Sequence, residues 1–589
     1  MIFKRNILQK LKTGSEKFLL WTSACCSLSV LFLIGYNSNF YTEQFLIKAI
    51  NVVFHGLAVI LLFKILVAKL LVPQRIWPIG EVILFLYFIL IIILRQLVSN
   101  HSAFNAEEWL YIGIFSILAI ELSRSTLSFD QFYFNPTLLF VFSFLVLILI
   151  GTSLLMLPGA VSNGRLSFVD ALFMATSAVC VTGLSVVDIG KEFTGFGQNV
   201  LLVLIQLGAL GVMTFTGFFG YFFTGGFSFK NQLMFTEFLN EKKTAQVTGF
   251  LLRIIYMTLI IEISGACLIY YNLDPDYFSS AGDQLYFSIF HAISAFCNAG
   301  FSTLSQGLFD SSFRFNYSFQ LIIAFLLIFG GLGFAVILNG YNFLKRWAVN
   351  FYSKVFFRQP ITYKAWVIDF NTRLVFYTTL FLIVFGTLSH LIFEYNRSFS
   401  EHPTWWGKIV SAFFTGVTPR TAGFNTIDMS GLSQPAIIIT LFLMWIGASP
   451  ASTGGGIRTT TFAIALLNIW NIAKGNSQIN IFQREVSSDS VRRAFAIIFL
   501  SVIFLGSSVV LLSVTDSDKS LLSLIFESVS AYSTVGLSLG ITPELSRSGR
   551  LVLIFSMFIG RVGTLTFLIA LIRNFRSRSY TYPSENVSF

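Results

Sequence analysis

AVCVTGLSVVD (residues 178–188) is the first of four related phrases in this chain. The others are AFCNAGFSTL (295–304), PRTAGFNTID (419–428) and AYSTVGLSLG (531–540). Each phrase holds a glycine followed by Leu or Phe, with a small or short polar residue shortly before it. The glycines are Gly183, Gly300, Gly423 and Gly536, and they are separated by 117, 123 and 113 residues. This near-constant interval indicates an internal repeat, and a repeat on this scale determines the whole fold.

The composition of the chain is that of a protein that crosses a membrane many times. Its 589 residues have a mean hydropathy of +0.75; 55% are hydrophobic and 11% are charged. Soluble proteins carry about 25% charged residues, so we expect a polytopic membrane protein. The net charge of +11 is attributed to basic loops on one side of the membrane and not to nucleic-acid binding. The cysteines and histidines lack the spacing of a disulfide framework or a zinc site.

Twelve long apolar runs are predicted to be membrane spans, because each approaches or exceeds the ~20 residues that a bilayer requires. Basic residues cluster in alternate connections, which predicts that the N- and C-termini are both cytoplasmic. The first run has no cleavage site behind it and is interpreted as a retained span. The runs lie near 17–36, 46–72, 79–98, 108–123, 137–157, 199–222, 248–271, 318–344, 372–393, 434–472, 491–514 and 548–572.

The last eight runs form four pairs, and each pair encloses a shorter apolar stretch that ends in a glycine phrase. Such a stretch has about 12–15 residues, enough for a helix of about 18–22 Å that stops near the middle of the bilayer. The predicted unit is a span (M1), a re-entrant half-helix with its glycine loop (P) and a second span (M2). Four units predict an all-α integral membrane protein with pseudo-fourfold symmetry around a pore. The predicted regions are an N-terminal four-helix extension at 1–130, repeats at 131–235, 236–350 and 351–480, and a fourth repeat with a short cytoplasmic tail at 481–589.

The glycine loops are candidates for an ion pathway. Backbone outside a helix cannot face lipid, so loops at this depth must line a wet path or lie buried in protein. A ring of carbonyl oxygens can replace the water shell of a cation, and the absence of carboxylates favours K⁺ over a divalent ion. Thr182, Thr421 and Thr534 can add hydroxyl oxygens, and Asn298 an amide oxygen. The predicted K⁺-binding residues are Val181, Thr182, Gly183, Asn298, Ala299, Gly300, Thr421, Ala422, Gly423, Thr534, Val535 and Gly536.

The sequence resembles the Trk/Ktr/HKT superfamily of K⁺ transporters over residues 137–573. TSAVCVTGLSVVD, FCNAGFSTL, TPRTAGFNTID and SAYSTVGLS are similar to its four filter loops, and STGGGIRTTTF and GRVGTLTF to its last two second helices. The resemblance implies a translocating subunit (Ktr B-type or Trk H-type) that takes up K⁺ across the inner (plasma) membrane. It also implies a homodimer, a separate cytoplasmic nucleotide-binding subunit and no covalent cofactor. Family members with serine at the first position tend to pass Na⁺, so Gly183 favours K⁺, whereas Ala209 replaces a glycine common in the family.

One apolar run, 434–472, is interrupted by GASPASTGGG (447–456), which a continuous helix tolerates poorly. A segment of small polar residues can line a wet cavity. The resemblance implies that residues 447–461 form a gate below the filter, with Gly454, Gly455 and Gly456 as gating residues. A packing kink is the alternative.

Charged residues within the apolar runs are candidates for a functional role, because they are costly in a membrane. Arg561 is interpreted as a gating residue, either a latch on the carbonyls of the interrupted run or a positive barrier in the pore. Pairing with Glu527 is the structural alternative. Arg420 is expected at the extracellular mouth, in solvent or paired with Asp428. His291 and Glu527 lie on half-helices and are interpreted as internal hydrogen-bonding residues.

Three alternatives are weighed against K⁺ uptake. A Na⁺-permeable or Na⁺-coupled cation transporter of the same fold stays open, because the sequence does not identify the coupling ion. A membrane enzyme would need paired acids or a basic phosphate site at the bilayer edge, and a scaffold would not need repeated non-helical loops. We therefore expect a transporter and not an enzyme.

Overall fold

A computed structural model describes residues 2–36, 40–71, 79–97, 107–127, 136–211, 247–357, 368–476 and 478–571. Most of these residues lie in helices. The strands among them, β1 (Asn480–Ile481) and β2 (Arg484–Glu485), form one short antiparallel hairpin. The predicted helical class is therefore correct apart from this hairpin.

The N-terminal part of the chain forms four helices that share an apolar core. Phe54 and Phe88 stack at its centre, with ring centroids 4.2 Å apart. Leu19 and Ile114 are buried in the same core. This core connects all four helices, which are α1 (Ile2–Gly35), α2 (Phe40–Leu71), α3 (Ile79–Leu97) and α4 (Glu108–Leu127).

A buried group of charges joins three of these helices. Lys64 on α2 is fully buried; its Nζ lies 3.4 Å from Glu81 Oε1 on α3 and donates to Glu121 on α4. Breaking such a buried group by removing one partner costs roughly 3–5 kcal/mol, because the remaining charge is left uncompensated. The group therefore specifies how α2, α3 and α4 pack together.

In the rest of the described chain, a long helix, a short helix, a glycine loop and a second span follow one another four times. The first group has a four-residue helix between its loop and its second span, and in the other groups the second span consists of two helices. The first group comprises α5 (Pro136–Leu155), α6 (Phe168–Val179), α7 (Ile189–Glu192) and α8 (Gly195–Leu210). The second comprises α9 (Val247–Asn272), α10 (Ala281–Phe296), α11 (Tyr317–Leu332) and α12 (Phe334–Phe357). The third comprises α13 (Phe370–Glu394), α14 (Trp405–Val417), α15 (Gln434–Trp445) and α16 (Thr459–Ala473). The fourth comprises α17 (Ser488–Thr515), α18 (Leu521–Ser533), α19 (Arg547–Val562) and α20 (Thr564–Leu571).

The four short helices before the glycine loops begin in the same way. Each has a Ser or Thr at its N-cap, and the side-chain hydroxyl accepts a hydrogen bond from a backbone N–H of the first turn. This cap satisfies a donor that would otherwise be unpaired, so the sequence fixes where each short helix starts. The capping residues are Ser167, Ser280, Thr404 and Ser520.

Five of the described helices are long and apolar enough to cross a membrane alone, and the bent pair α11–α12 is a sixth candidate. The five are α1, α2, α9, α13 and α17. The other predicted spans coincide with shorter helices or with helices broken at a loop. The molecule is thus a multi-pass helical membrane protein.

The predicted break in the second span of the third repeat is confirmed, because α15 ends at Trp445 and α16 begins at Thr459. The expectation that only this repeat is interrupted is wrong, because a helix of each other repeat also ends at a glycine. Gly211, Gly333 and Gly563 terminate α8, α11 and α19 with φ of 77°, 83° and 91°. Positive φ interrupts a right-handed helix at a position that glycine tolerates best. At Gly333 the helix axis turns by 103° between α11 and α12. In the third repeat, the break runs from the end of α15 to the start of α16, with Gly456 at φ 70°.

The last repeat packs against the first. Leu553 and Met557 of α19 belong to the same buried cluster as Phe173 and Met174 of α6. Arg550, on α19, also pairs with the carboxylate of a residue in the first turn of α6. The helices therefore close into a ring around the glycine loops instead of forming an open row.

Candidate functional site

The four glycine phrases adopt the same unusual backbone. Each central glycine has φ between 70° and 92°. The residue two positions before it also has positive φ, between 51° and 63°, although none of these four residues is glycine. Such a conformation is costly for other residues and persists where the surrounding structure imposes it. The residues concerned are Val181, Asn298, Thr421 and Thr534.

The four glycines contact one another in a closed order. A methyl group on any of them would collide with the carbonyl oxygen of the residue preceding the next glycine. Gly183 meets the carbonyl of Ala299, Gly300 that of Ala422, Gly423 that of Val535, and Gly536 that of Thr182. The fourth loop thus returns to the first, so the loops surround one central axis. The tight backbone contacts explain why all four positions are glycine.

A hydroxyl group behind each loop holds its backbone. In the first loop, Ser177 Oγ donates to the carbonyl of Leu184 (2.7 Å) and accepts from the N–H of Gly183 (3.1 Å). The other loops have Ser294 Oγ to Phe301 O (2.7 Å), Thr418 Oγ1 to Phe424 O (2.5 Å) and Gly536 N to Ser530 Oγ (3.1 Å). We did not single out these residues from the sequence. The available signal was a Ser or Thr five or six residues before every central glycine.

His291 and Glu527 brace the outer ends of the second and fourth loops. His291 Nε2 is 2.9 Å from Ser302 Oγ, and Ser538 Oγ donates to Glu527 Oε1 at 2.5 Å. Thr542 Oγ1 also donates to Glu527 (2.9 Å). Both residues are thus internal hydrogen-bonding groups, as expected. The carboxylate of Glu527, which was the alternative partner of Arg561, is bonded instead to these two hydroxyls.

The side chains considered as additional oxygen ligands are not equivalent. Thr182 is adjacent to its glycine, whereas Thr421, Thr534 and Asn298 stand two positions before theirs. The Asn298 amide hydrogen-bonds to the Thr421 hydroxyl (3.3 Å), and the Thr534 hydroxyl accepts from the N–H of Gly455 (2.8 Å). These three side chains therefore hold neighbouring backbone and side chains. Within the described ranges, the Thr182 hydroxyl is buried and has no hydrogen-bond partner.

A cavity of about 770 Å³ lies on one side of the ring. All four central glycines line it, together with the loop residues that follow them. Asp188, Glu192 and Asp428 also line this cavity. Carboxylates around the entrance of a cleft raise the local concentration of cations. The arrangement therefore suits a vestibule that leads cations to the ring.

The interrupted segment of the third repeat lies on the opposite side of the ring. Gly454 packs against the hydroxyl of Thr421, and Gly455 packs against Thr534 and the carbonyl of Gly560. These contacts leave no space for a side chain at either glycine. The segment therefore lies directly against the residues two positions before the third and fourth central glycines.

Two arginines hold this segment in place. Arg561 is buried; its guanidinium donates to the carbonyl of Thr453 in the segment and to that of Gly208 at the end of α8 (2.6 Å). Arg458 donates to the carbonyl of Gly454 (2.5 Å). We did not single out Arg458 from the sequence, although an arginine in the apolar phrase GGGIRTTTF was a signal. The arginines link the segment to the first repeat and to its own backbone.

Arg420 does not face the extracellular mouth, and this expectation is wrong. Its side chain is buried, and its Nη2 lies 3.4 Å from the hydroxyl of Thr379 in the middle of α13. Asp428 instead accepts hydrogen bonds from the backbone and hydroxyl of Ser430. Packing of the third loop against α13 thus determines the direction of this side chain.

Comparisons with known proteins agree with this architecture. A family model described as "TrkH: Cation transport protein" matches residues 112–581. Ktr system potassium uptake protein B of Bacillus subtilis (strain 168) is 36% identical over 455 residues, covering 77% of this chain and 96% of that protein. Potassium/sodium uptake protein NtpJ of Enterococcus hirae is 33% identical, covering 77% of this chain and 97% of that protein.

A solved structure has the same fold. The potassium transporter TrkH from Vibrio parahaemolyticus aligns with a TM-score of 0.55 and 18% identity, covering 89% of this chain and 98% of that chain. The relatives are named as transporters and not as enzymes. The chain therefore belongs to the TrkH family of cation transport proteins, within the Trk/Ktr/HKT superfamily.

Proposed function

We propose that this protein takes up K⁺ across a membrane through the ring of four glycine loops. The observation that carries the proposal is the closed order of contacts, in which each glycine meets the carbonyl of the next loop. Four loops around one axis can present backbone oxygens to a dehydrated cation from all sides. The similarity to Ktr system potassium uptake protein B supports the choice of ion.

The proposed filter consists of the three consecutive residues that end at each central glycine. The loops carry no carboxylate, so their oxygens suit a monovalent ion better than a divalent one. Positive φ at two of the three positions turns successive peptide groups in different directions. We infer that the four repeats are related by a pseudo-fourfold axis through this filter.

The proposed gate is the segment 447–461 of the third repeat together with Arg561. Gly454, Gly455 and Gly456 contain no side chain, which allows the segment to fit against Thr421 and Thr534. Arg561 would act as the latch through its hydrogen bonds to the carbonyls on either side of it. Opening would require these hydrogen bonds to break and the segment to leave the axis.

A Na⁺-permeable or Na⁺-coupled transporter of the same fold is the second candidate. A relative named as a potassium/sodium uptake protein favours it. Glycine at the first filter position favours K⁺, because serine there accompanies Na⁺ passage among the proteins that the sequence resembles. We therefore retain K⁺ uptake as the first proposal.

We also propose a membrane location, partner chains and a role for the N-terminal helices. We infer an inner (plasma) membrane location with both termini in the cytoplasm, from the distribution of basic residues. We further propose a homodimer in which each chain has its own pore, and a separate cytoplasmic nucleotide-binding subunit that acts on it. Residues 1–130 would form a peripheral helical extension and would not line the pore, because they have no glycine loop.

Rubidium uptake into vesicles that contain the purified protein tests the function. We expect uptake that K⁺ inhibits and that exceeds uptake into protein-free vesicles. A Gly300→Ala variant should lose this uptake, since the added methyl would meet the carbonyl of Ala422. Gly506→Ala is the matched control, because Gly506 has no neighbouring atom within 4 Å of that position. Absence of uptake with the wild-type protein, with and without a membrane potential and a Na⁺ gradient, would contradict the proposal.

A further inference from the structure

Helix α12 leaves the helical body after the break at Gly333. Its axis is turned by 103° from that of α11, and its 24 residues extend about 36 Å. Near its base, Asn339 Nδ2 donates to Asp369 Oδ2 (3.1 Å). Beyond this point the described side chains from Tyr341 to Phe356 are exposed or half-exposed. Because α11 runs along the second span of its repeat, a right-angle turn places α12 close to the membrane plane.

The exposed part of α12 has two different faces. Leu344, Trp347, Phe351 and Val355 recur at helical spacing and form an apolar stripe, and each is 55–62% exposed. Asn342 and Arg346 lie on the opposite face, which also carries the exposed Val349. An apolar stripe accompanied by Trp and basic residues is typical of a helix that lies in the membrane–water interface.

The charge of α12 indicates what the helix binds. Phe334–Phe357 contains Lys345, Arg346 and Lys354 and no acidic residue. Anionic headgroups attract such basic residues, and Trp and Tyr prefer the headgroup level of a bilayer. A second copy of α12 would instead bring two sets of three positive charges together. Charge and aromatic content thus favour an anionic lipid surface.

We propose that α12 binds the anionic phospholipid headgroups of the leaflet beside it, with its apolar stripe inserted at the acyl boundary. The base of the helix connects this binding to the interrupted segment of the third repeat. Phe334 N donates to the carbonyl of Ala451 (3.1 Å), and Ser449 N donates to the carbonyl of Gly331 (3.1 Å). Ser449 Oγ also donates to the carbonyl of Leu332. If that segment is the gate, as proposed above, the lipid-bound position of α12 fixes one side of it.

The first measurement tests lipid binding independently of transport. In a Cys25→Ser, Cys267→Ser background, an environment-sensitive fluorophore is attached at Phe351→Cys or, as the matched control, at Asn342→Cys. The full chain is placed in nanodiscs of phosphatidylcholine with or without phosphatidylglycerol. We expect nitroxide acyl chains to quench the label at position 351, and aqueous iodide to quench the label at 342. Equal access of iodide to both labels would overturn the proposal.

Charge-neutral variants test the anionic part. K345Q/R346Q/K354Q should reduce the ratio of lipid-bound to free α12 in phosphatidylglycerol discs by about a hundredfold, because each basic residue contributes about fivefold. K474Q/R492Q/R493Q removes the same charge from exposed residues elsewhere and should leave the ratio unchanged. Equal quenching in discs with and without phosphatidylglycerol would overturn the anionic preference. Formation of a disulfide between the Phe351→Cys positions of two chains would assign the stripe to a second copy and overturn the proposal.

Rubidium uptake in vesicles of the same two lipid compositions tests the connection to the gate. We expect the rate of the wild-type protein to change severalfold with phosphatidylglycerol, and the rate of K345Q/R346Q/K354Q to be insensitive to it. Lipid-bound α12 with a rate independent of lipid would overturn the connection. Absence of uptake under every condition would contradict the proposed transport function, while the fluorescence result would still decide whether α12 binds lipid.

Discussion

The backbone N–H of Gly455 donates a 2.8 Å hydrogen bond to the hydroxyl of Thr534. Gly455 belongs to the interrupted segment of the third repeat, and Thr534 stands two residues before the central glycine of the fourth. The segment is therefore bonded directly to a glycine loop of another repeat. A change in one element must be accommodated by the other, so this bond connects the proposed gate to the proposed filter.

Replacing Thr534 with valine should raise the rate of Rb⁺ uptake. Valine preserves the shape of threonine but leaves the N–H of Gly455 without its acceptor, which costs about 1–3 kcal/mol in a buried site. The backbone accommodates valine, since Val181 occupies the equivalent position at φ 57°. We expect an increase of about fivefold or more. Thr176→Val is the matched control, because within the described residues the buried hydroxyl of Thr176 has no partner. If both variants take up Rb⁺ at the wild-type rate, the hydrogen bond between Gly455 and Thr534 does not control gating.

Arg561→Ala and Arg561→Lys should both raise uptake by about tenfold or more. Each charge-assisted hydrogen bond contributes about 1.5–3 kcal/mol. The single ammonium group of lysine cannot reproduce the forked contacts with the carbonyls of Thr453 and Gly208. Arg547→Ala is the control, because Arg547 is exposed at the start of the same helix. If the Arg561 variants yield no folded protein, the arginine has a structural role and the latch is contradicted.

Lys64→Met should destabilise the N-terminal helices and leave ion selectivity unchanged. The substitution leaves Glu81 and Glu121 buried without their shared cation, at a cost of roughly 3–5 kcal/mol. Thermal unfolding in detergent and competition of Rb⁺ uptake by K⁺ and Na⁺ measure the two properties. Lys48→Met, at an exposed position on the same helix, should change neither. A changed K⁺/Na⁺ preference in the Lys64 variant would show that the N-terminal extension acts on the filter.

The segment that connects α13 to α14 should become less stable in acid. His402 is hydrogen-bonded to the hydroxyls of Tyr317 (3.2 Å) and Ser411 (2.9 Å). Burial, followed by the positive charges of Arg314 and Lys408, lowers the pKa of His402 from 6.5 to about 4. The unfolded chain therefore binds a proton at higher pH than the folded chain does. The stabilisation is complete above about pH 6.5 and is lost as the pH falls toward 4.

Thermal unfolding between pH 7 and 4.5 measures this effect. His402→Gln keeps an amide that can serve both hydroxyls but does not titrate, so its unfolding temperature should depend less on pH. A fall with pH that is identical in the variant and the wild-type protein would exclude His402 as its cause.

The glycine phrases and half-helices could be predicted because they repeat and because their chemistry is local. Each half-helix combines a Ser or Thr N-cap, an apolar stretch and a glycine, as at Ser520 and Gly536. The breaks at Gly333 and Gly563 were missed for a physical reason. Glycine in a membrane helix either allows close packing or supplies positive φ, and the sequence around it does not distinguish these roles.

Side-chain direction was the other part that the sequence did not determine. Arg420 lies in the third loop beside an acid that could pair with it, but the loop packs so that the guanidinium meets Thr379 on α13. That contact joins residues 41 positions apart, and nothing local predicts it. The sequence does distinguish Thr182 from Thr421, because Thr182 stands one residue before its central glycine and Thr421 stands two residues before its own.

Competition of Rb⁺ uptake by K⁺ and Na⁺ in a Gly183→Ser variant tests whether the four glycine loops form the selectivity filter. Gly183 has φ 92°, and any side chain there meets the carbonyl of Ala299 in the next loop. We expect the preference for K⁺ over Na⁺ to fall by about tenfold, which corresponds to about 1.4 kcal/mol. Gly506→Ser, at an open position on α17, should retain the wild-type preference. A Gly183→Ser protein that inserts, transports and keeps the wild-type preference would contradict a filter formed by the four glycine loops.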